Sequence, residues 1–410
     1  MQPLEAFELA GKTVLLRVDI NSPIDPATRK IVNTNRIEKS LPTIRHLLEH
    51  GAKLAMIAHQ GDTLDYHNLM SMQEHADILS KLIGSRVHYI DDVCGPAAQN
   101  KVQSLKPGEA VLLGNLRYLG EELSTFENAV KLEPAQMLDT WLVRGLAPLV
   151  DLYVNDAFAA AHRNAPSMVA FQEIKPTAAG KLLFDEVAAL NRVMAEPEHP
   201  CVFVLGGAKI SDAFGMMQQV LEAGTADQIL ACGITGEIML LAAGYPLGNT
   251  KEQFLRDRSL LEFVPEAESY LRDYGDKILY PTDLAYEVDG ARVEISIDDL
   301  PAEQMYMDIG AATITAYETA IQQARTLFVN GPPGVYENPL FENGTQAIWQ
   351  AIARATGYSV IGGGDTVTAA SRYVEPGDID YICTAGGAMV RYLSGKKLPL
   401  MAAMESASIR

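Results

Sequence analysis

Cysteine is scarce. The 410 residues hold four, Cys94, Cys201, Cys232 and Cys383, with no CxxC pair among them. That scatter argues against a thiolate zinc site or a disulfide framework and fits a reducing compartment. Positive charge is also short. Lys and Arg number 33 against 52 Asp and Glu, for a net charge of −19. Such a surface does not attract nucleic acid or anionic lipid, so an anionic substrate must be met by a local cationic site. Long hydrophobic runs are missing too. The most apolar stretch, 228–247, is interrupted by Glu237 and cannot span a bilayer. The opening MQPLEAFELAGK has neither the basic segment nor the apolar core of a secretory leader. These absences predict a soluble, cytoplasmic protein that handles small molecules, with no nucleic acid or membrane as partner. Several catalytic signatures are lacking as well. No GxGxxG opens a strand–helix unit, which disfavours a nicotinamide dehydrogenase, and there is no HExxH or GxSxG. The fragment Gly11-Lys12-Thr13 ends like a P-loop but lacks the first glycine and precedes its strand.

What is present reads as a globular chain, 48% apolar and 21% charged, long enough for two or three domains. Short β-rich runs recur at 13–19, 53–58, 110–113, 150–155, 201–205, 228–232, 277–280, 326–330, 358–361 and 380–384. Helical periods lie between most of them, at 36–50, 71–83, 180–194 and 346–356 for example. Strands alternating with helices predict parallel sheets covered on both faces. Ten strands divide into two sheets, with the break near 169–200, where a turn-rich piece, a long helical pattern and a Pro-flanked exit follow one another. The fold class expected is therefore α/β: two doubly wound parallel-sheet domains joined by a hinge helix. The boundaries expected are 1–170, a hinge at 171–198, and 199–394.

The stretch 201–214, CVFVLGGAKISDAF, carries the first chemical signal. A β-rich run ends in Gly206 and Gly207, and then come a lone cation, Lys209, and a helix start near Ser211 and Asp212. This is either an ordinary strand-to-helix turn or a backbone built to approach phosphate closely with one positive charge. Other strands end the same way. In the first half they run into Asp19 and Asn21, His59 and Gly61, Asn115 and Arg117, and Asn155 and Asp156. In the second half they run into Gly233 and Gly236, Asp283, 330-NGPPG-334, 362-GGGDT-366 and 386-GG-387. Ligands of open α/β sheets bind outside the carboxyl ends of the strands. The first half offers discrete cations, Arg17, Arg36, His59, Arg117, His162 and Arg163, which suit a small multiply charged acid. The second offers glycines, one lysine and one aspartate, which suit a polyphosphate. Asp365 can be read as a carboxylate for Mg2+ beside phosphates or as a helix N-cap. Arg36 can equally be a solvated helix-face charge, and His59 a satisfied strand-end histidine.

These blocks resemble the phosphoglycerate kinase family along nearly the whole chain, most closely its archaeal branch. The matching stretches are 17-RVDINSP-23, 33-NTNRIEKSLPTI-44, 57-IAHQG-61, 114-GNLRY-118 and 155-NDAFAAAHR-163. They continue with 205-LGGAKISD-212, 281-PTD-283, 308-DIG-310, 330-NGPPGVYENPLFENGT-345, 361-IGGGDT-366 and 383-CTAGGA-388, in the family's order and spacing. The resemblance implies reversible phosphoryl transfer between 1,3-bisphosphoglycerate and ADP, giving 3-phosphoglycerate and ATP with Mg2+, in glycolysis and gluconeogenesis. It implies that Asp19, Asn21, Arg36, His59, Arg117 and Arg163 bind the acid. It implies that Lys209 meets the nucleotide phosphates and the transferring group, that Glu337 meets the ribose, and that Asp365 holds the magnesium nucleotide. Gly206, Gly207, Gly310, Asn330, Pro332, Gly363, Gly364 and Thr366 complete the implied nucleotide site. Gly386 and Gly387 would open the helix facing the transferred phosphoryl, catalytic together with Arg36 and Lys209. The tail 395–410 would return to the first domain.

The chain departs from the family pattern at several positions, among them Arg391, which stands where a carboxylate is common. Asp62 stands where HxGRP has its arginine; at about 4 Å and an effective dielectric near 20, each unit charge pair is worth roughly 4 kcal/mol, unfavourable to a phosphate there. Ala213 replaces a second lysine, Ala312 lies in 308-DIGAAT-313 where DIGPKT is usual, and Ala385 replaces a glycine. These changes are expected to touch both acid recognition and nucleotide contacts. They motivate two further readings: a paralogous kinase forming an acyl phosphate from a different carboxylic acid, and a nucleotide-binding homologue with little catalysis.

Overall fold

The computed structural model describes residues 1–61 and 69–409, so Asp62 lies outside the described residues. The chain forms two compact units, residues 1–187 with the stretch from Lys397 onward, and Ala188–Lys396. The division falls inside the helix Lys181–Met194.

The first unit is built on a six-stranded sheet of β1 (Thr13–Arg17), β2 (Lys53–Ile57), β3 (Val87–Tyr89), β4 (Ala110–Leu112), β5 (Leu152–Asn155) and β6 (Thr177–Ala179). Its order is β3-β4-β2-β1-β5-β6, and every pairing is parallel. Consecutive residues of β1, β2 and β5 are buried, as they must be when helices cover both faces of a sheet. Arg17 lies opposite Ile57 on one side and Asn155 on the other, so three strands end level. The chain runs outward on one side of β1 and returns on the other at β5, which makes the β1/β5 edge a topological switch point. The C-terminal helix Pro399–Ile409 belongs to this unit; Leu400 N donates to Ala161 O at 3.2 Å.

The second unit has its own six-stranded parallel sheet of β7 (Cys201–Leu205), β8 (Gln228–Ala231), β9 (Ile278–Leu279), β13 (Thr326–Asn330), β14 (Tyr358–Ile361) and β15 (Tyr381–Ile382), ordered β15-β14-β13-β7-β8-β9. The switch point is the β7/β13 edge, where Leu205 lies opposite Asn330. All five residues of β7 are buried.

The ten expected strands are present. The structure adds β3 and β6, each three residues long, and a third sheet. That sheet is antiparallel, ordered β11-β10-β12, from β10 (Asp283–Val288), β11 (Ala291–Ser296) and β12 (Asp308–Ile309). The expected two sheets are therefore three. Asp289 and Gly290, with φ of 50° and 80°, turn β10 into β11, the two-residue hairpin geometry that Asp-Gly favours.

Candidate active site

In the first unit, the sequence-predicted acid-binding residues converge at the carboxyl ends of β1, β2 and β5. Asp19 is buried, and its Oδ2 accepts from Arg36 Nη1 at 2.9 Å. Arg36 stands in the first turn of the helix Asn35–Glu49, with its side chain 37% exposed. It is anchored by Asp19 yet faces outward, so it is neither a free surface charge nor a core residue. Asn21 Oδ1 accepts from Gly61 N at 3.0 Å, and Arg117 Nε donates to Gly61 O at 3.4 Å. Arg117 Nη1 and Arg163 Nη2 both donate to the carbonyl of Glu122, at 2.9 and 3.3 Å. Arg163 Nε pairs with Glu127 Oε2 at 2.7 Å. A buried amide frame fixes the turn after β2: Gln60 and Asn115 exchange two hydrogen bonds of 3.1 and 3.0 Å, and Gln60 Oε1 meets His75 Nε2 at 2.9 Å.

His59 is buried at the centre of this group. Burial, then the fields of Arg17, Arg117, Arg36 and Arg163, hold its imidazole well below the ordinary value. It is neutral at pH 7. Four guanidinium groups act on one imidazole in a chain of net charge −19, an arrangement whose chemistry suits a small polyanion.

In the second unit, the ends of β7, β13 and β14 enclose a cleft of about 220 Å3. Gly206, Gly207, Lys209, Asn330, Pro332, Gly363, Gly364, Asp365, Thr366, Gly386 and Gly387 all line it. The loops after β7 and β13 cross in contact: Gly206 N donates to Asn330 O and Gly207 N to Pro332 O, both at 2.9 Å. Gly331 has φ of +90°, and a Cβ there would lie 2.1 Å from Gly206 O, so only glycine fits. Thr366 Oγ1 accepts from Gly331 N at 2.8 Å, and Asn330 Nδ2 donates to Gly362 O at 2.7 Å. These two fasten the cleft wall. Lys209 precedes the helix Ile210–Glu222, and its Nζ lies 3.5 Å from Asp365 Oδ2, with both side chains over two-thirds exposed. Asp365 sits in the first turn of the helix Gly364–Tyr373, where Gly363 is the cap and no side chain caps. The N-cap reading of Asp365 is thus not realised. Its carboxylate is free of backbone duty and available to a cation. Gly386 and Gly387 begin the helix Gly386–Leu393, and a Cβ on either would meet nothing within 4 Å.

A second, larger cleft of about 390 Å3 shares Gly207, Ala208, Pro332 and Asp365 with the first. Glu337 lines it, together with apolar walls from Phe254, Leu284, Met305 and Tyr336. The two join into one trough, glycine-rich at one end and apolar at the other. Gly310 lines neither. A Cβ there would lie 2.4 Å from the Asp283 carboxylate, which accepts from the N–H groups of Ala312 and Thr313 at 2.8 and 2.9 Å. Its glycine serves this helix cap.

The structure revises the reading of the departures. Ala213 and Ala385 are fully buried, and Ala312 is exposed beside Asp283 and Glu294. None of the three lines either cleft. Two groupings had not been found from sequence. Arg17, Ser167 and Glu122 form a buried layer beneath His59. Glu237 and Lys251 pair at 2.7 Å, both buried, in the wall of the larger cleft. Burial pushes the Glu237 carboxyl up, and Lys251 pulls it back. The signal for this pair was a glutamate inside the most apolar run of the chain.

No group of three metal-binding side chains occurs among the described residues. A single exposed carboxylate beside glycine-rich turns fits Mg2+, which takes one or two carboxylates and the substrate phosphates. No helix among the described residues is long and apolar enough to cross a membrane.

The phosphoglycerate kinase family model matches residues 4–396. The chain is 39% identical over 398 residues to the phosphoglycerate kinase of Methanobacterium bryantii, covering 97% of this chain and 95% of that one. It is 40% identical over 405 residues to that of Thermococcus kodakarensis, covering 97% and 96%. The crystal structure of phosphoglycerate kinase from Pyrococcus horikoshii is similar over 100% of both chains, with a TM-score of 0.87 at 37% identity. The structure of phosphoglycerate kinase from Coxiella burnetii gives 0.82 at 30% identity, covering 98% of both chains.

Proposed function

The chain belongs to the phosphoglycerate kinase family, and on that premise we propose that it transfers a phosphoryl group reversibly between 1,3-bisphosphoglycerate and ADP, giving 3-phosphoglycerate and ATP. The observation that carries this reading is the division of chemistry between the units. One gathers arginines and a neutral histidine for a small polyanionic acid, and the other gathers glycine turns, one lysine and one carboxylate for a nucleotide polyphosphate.

In the ATP-forming direction a terminal oxygen of ADP attacks the acyl phosphorus. The bond from phosphorus to the carboxyl oxygen breaks, and the electron pair leaves with the carboxylate. Such a step asks for positioning and charge neutralisation. His59, Asn21, Arg117 and Arg163 hold the acid. Arg36, held by Asp19, faces the group in transfer. Glu337 takes the ribose, and the apolar end of the trough takes the base. The backbone after β7 and the N–H groups at Gly386 and Gly387 meet phosphate oxygens, and Lys209 brings its ammonium to the transferring group. Asp365 would hold Mg2+ here, and the ion would supply charge neutralisation to the nucleotide phosphates. Acid and nucleotide are held by separate units, so transfer requires closure, for which the helix Lys181–Met194 is the hinge. Closure also excludes water from a hydrolysable acyl phosphate.

A coupled assay with purified protein, Mg-ATP and 3-phosphoglycerate tests the proposal by acyl-phosphate formation. Robust turnover is expected. Nucleotide binding without turnover on this acid, but with turnover on another carboxylic acid, would replace it with a paralogous kinase.

A further inference from the structure

We infer that Arg17 fixes His59 as the neutral imidazole with its proton on Nε2, so that His59 meets the acid as a hydrogen-bond donor and never as a cation. The inference deepens the function proposed above and rests on the first unit's cluster being the acid site.

Arg17 ends β1, and its side chain is buried like the apolar core residues Val14, Leu15 and Leu16 before it. Each of its three guanidinium nitrogens is engaged. Nη1 donates to Val18 O at 2.7 Å, Nε to Ser167 Oγ at 3.3 Å, and Nη2 lies 2.9 Å from His59 Nδ1. A guanidinium has five N–H donors, no acceptor, and no accessible neutral form in proteins. The nitrogen it faces must therefore present a lone pair. In neutral imidazole one nitrogen is bare and the other carries the proton, so a bare Nδ1 assigns the proton to Nε2. A doubly protonated ring would set N–H against N–H across 2.9 Å.

The surroundings point the same way. The main charged groups acting on His59 are Arg17, Arg117, Arg36 and Arg163, all cations. The carboxylates of this region are engaged elsewhere: Asp19 holds Arg36, and Glu127 holds Arg163. Buried Glu122 accepts from Ser167 N and Oγ at 2.7 and 2.6 Å. The relay is thus continuous. Glu122 orients the Ser167 hydroxyl, Ser167 Oγ accepts from Arg17 Nε, and Arg17 Nη2 donates to His59. Burial pulls Arg17 down, and Glu122, then Asp19, push it back up. Arg17 acts on the acid through His59, so it is a positioning residue.

The chemical consequence is selectivity. A neutral N–H donor among guanidinium groups adds direction without adding charge, and one ring nitrogen cannot trade roles with the other. The acid then meets the same donor in both directions of transfer.

Long-range proton–nitrogen correlation spectra of the full-length protein, labelled with 15N-histidine and assigned by His59→Gln, test the inference directly. Between pH 5.5 and 8 the His59 Nδ1 signal is expected at the position of a bare nitrogen and Nε2 at that of a protonated one, with no titration. A protonated Nδ1, or two protonated nitrogens within that range, would overturn the assignment. Adding 3-phosphoglycerate should shift Nε2 alone. A locked tautomer that ignores the acid would leave the lock standing and sink the reading of the cluster as the acid site. In Arg17→Met the tautomer protonated on Nδ1 should appear, with KM for 3-phosphoglycerate raised about tenfold, the worth of one lost hydrogen bond, and kcat changed less. Unchanged nitrogen signals in that variant would overturn the role of Arg17. Should Arg17→Met fail to fold, the wild-type spectra decide.

Discussion

On the proposed function, Lys209 is a side chain that serves the chemistry and not the fold. It is the one lysine or arginine among the described residues that line the smaller, glycine-rich cleft. Its side chain is 70% exposed, and its 3.5 Å contact with Asp365 is open to water, so the pair adds little to stability. Lys209→Ala is therefore expected to leave the melting temperature unchanged and to lower kcat by about 10² to 10³, the usual loss when one preorganised charge is removed from a transferring group. Affinity for 3-phosphoglycerate, measured by calorimetry without nucleotide, should not move. Residual turnover within tenfold of wild type would mean that the neutralising charge comes from elsewhere. Lys209 was legible in the sequence because it follows a β-rich run and two glycines. Arg36, His59, Arg117 and Arg163 were legible for a similar reason, as cations just beyond strands or at a helix start. Arg17 was visible as a cation, but its role was not, because it stands inside the strand it ends and its partners Ser167 and Glu122 are distant in sequence. Glu237 was read only as an interruption in an apolar run, since nothing local announced Lys251 as its partner.

Among elements, the crossing of the loops after β7 and β13 is the most constrained by backbone. Gly331 adopts φ of +90°, and an added methyl would meet the Gly206 carbonyl. Neither group is the flexible end of a side chain, so the loops must part. Gly331→Ala is expected to destabilise the second unit by about 3 kcal/mol or more. A urea titration followed by circular dichroism measures this as a lower midpoint, and nucleotide affinity should fall with it. A midpoint within error of wild type would show that the crossing relaxes freely. The long parallel strands were legible because each is a mostly apolar run closed by glycine or a polar residue. The antiparallel sheet carried its own signal, Asp289-Gly290 between alternating residues, yet an alternation of strands and helices hid it. β3 and β6 are three residues long, and β6 is Thr-Ala-Ala, too short and too weak in β preference to stand out. Asp365 shows the reverse case: Asp before Thr resembles a cap, but Gly363, two residues earlier, takes that place.

For the molecule as a whole, acidity and the two-unit plan meet at Asp156. It follows β5, is fully buried, and its Oδ1 accepts from Leu183 N at 3.0 Å, in the first turn of the helix within which the units divide. Burial is the main cause that pushes its carboxyl up to about 7, against bonds from Thr43, Leu183 and Leu182 that lower it. A carboxyl raised in the folded state binds its proton more tightly there than in the unfolded chain. The resulting stability is fully present below the unfolded value near 3.8 and is lost as pH rises through about 7. From pH 5 to pH 7 this one group should cost the protein up to about 1.4 kcal/mol per pH unit, and nothing further above pH 8. Asp156→Asn keeps an acceptor for Leu183 N and has no proton to lose. Urea unfolding of both proteins at intervals between pH 5 and 8 measures the difference. The stability of Asp156→Asn relative to wild type is expected to rise across that interval and then level off. A difference that stays constant with pH would show that Asp156 is ionised throughout, and that the cap on this helix is a buried carboxylate rather than a carboxylic acid.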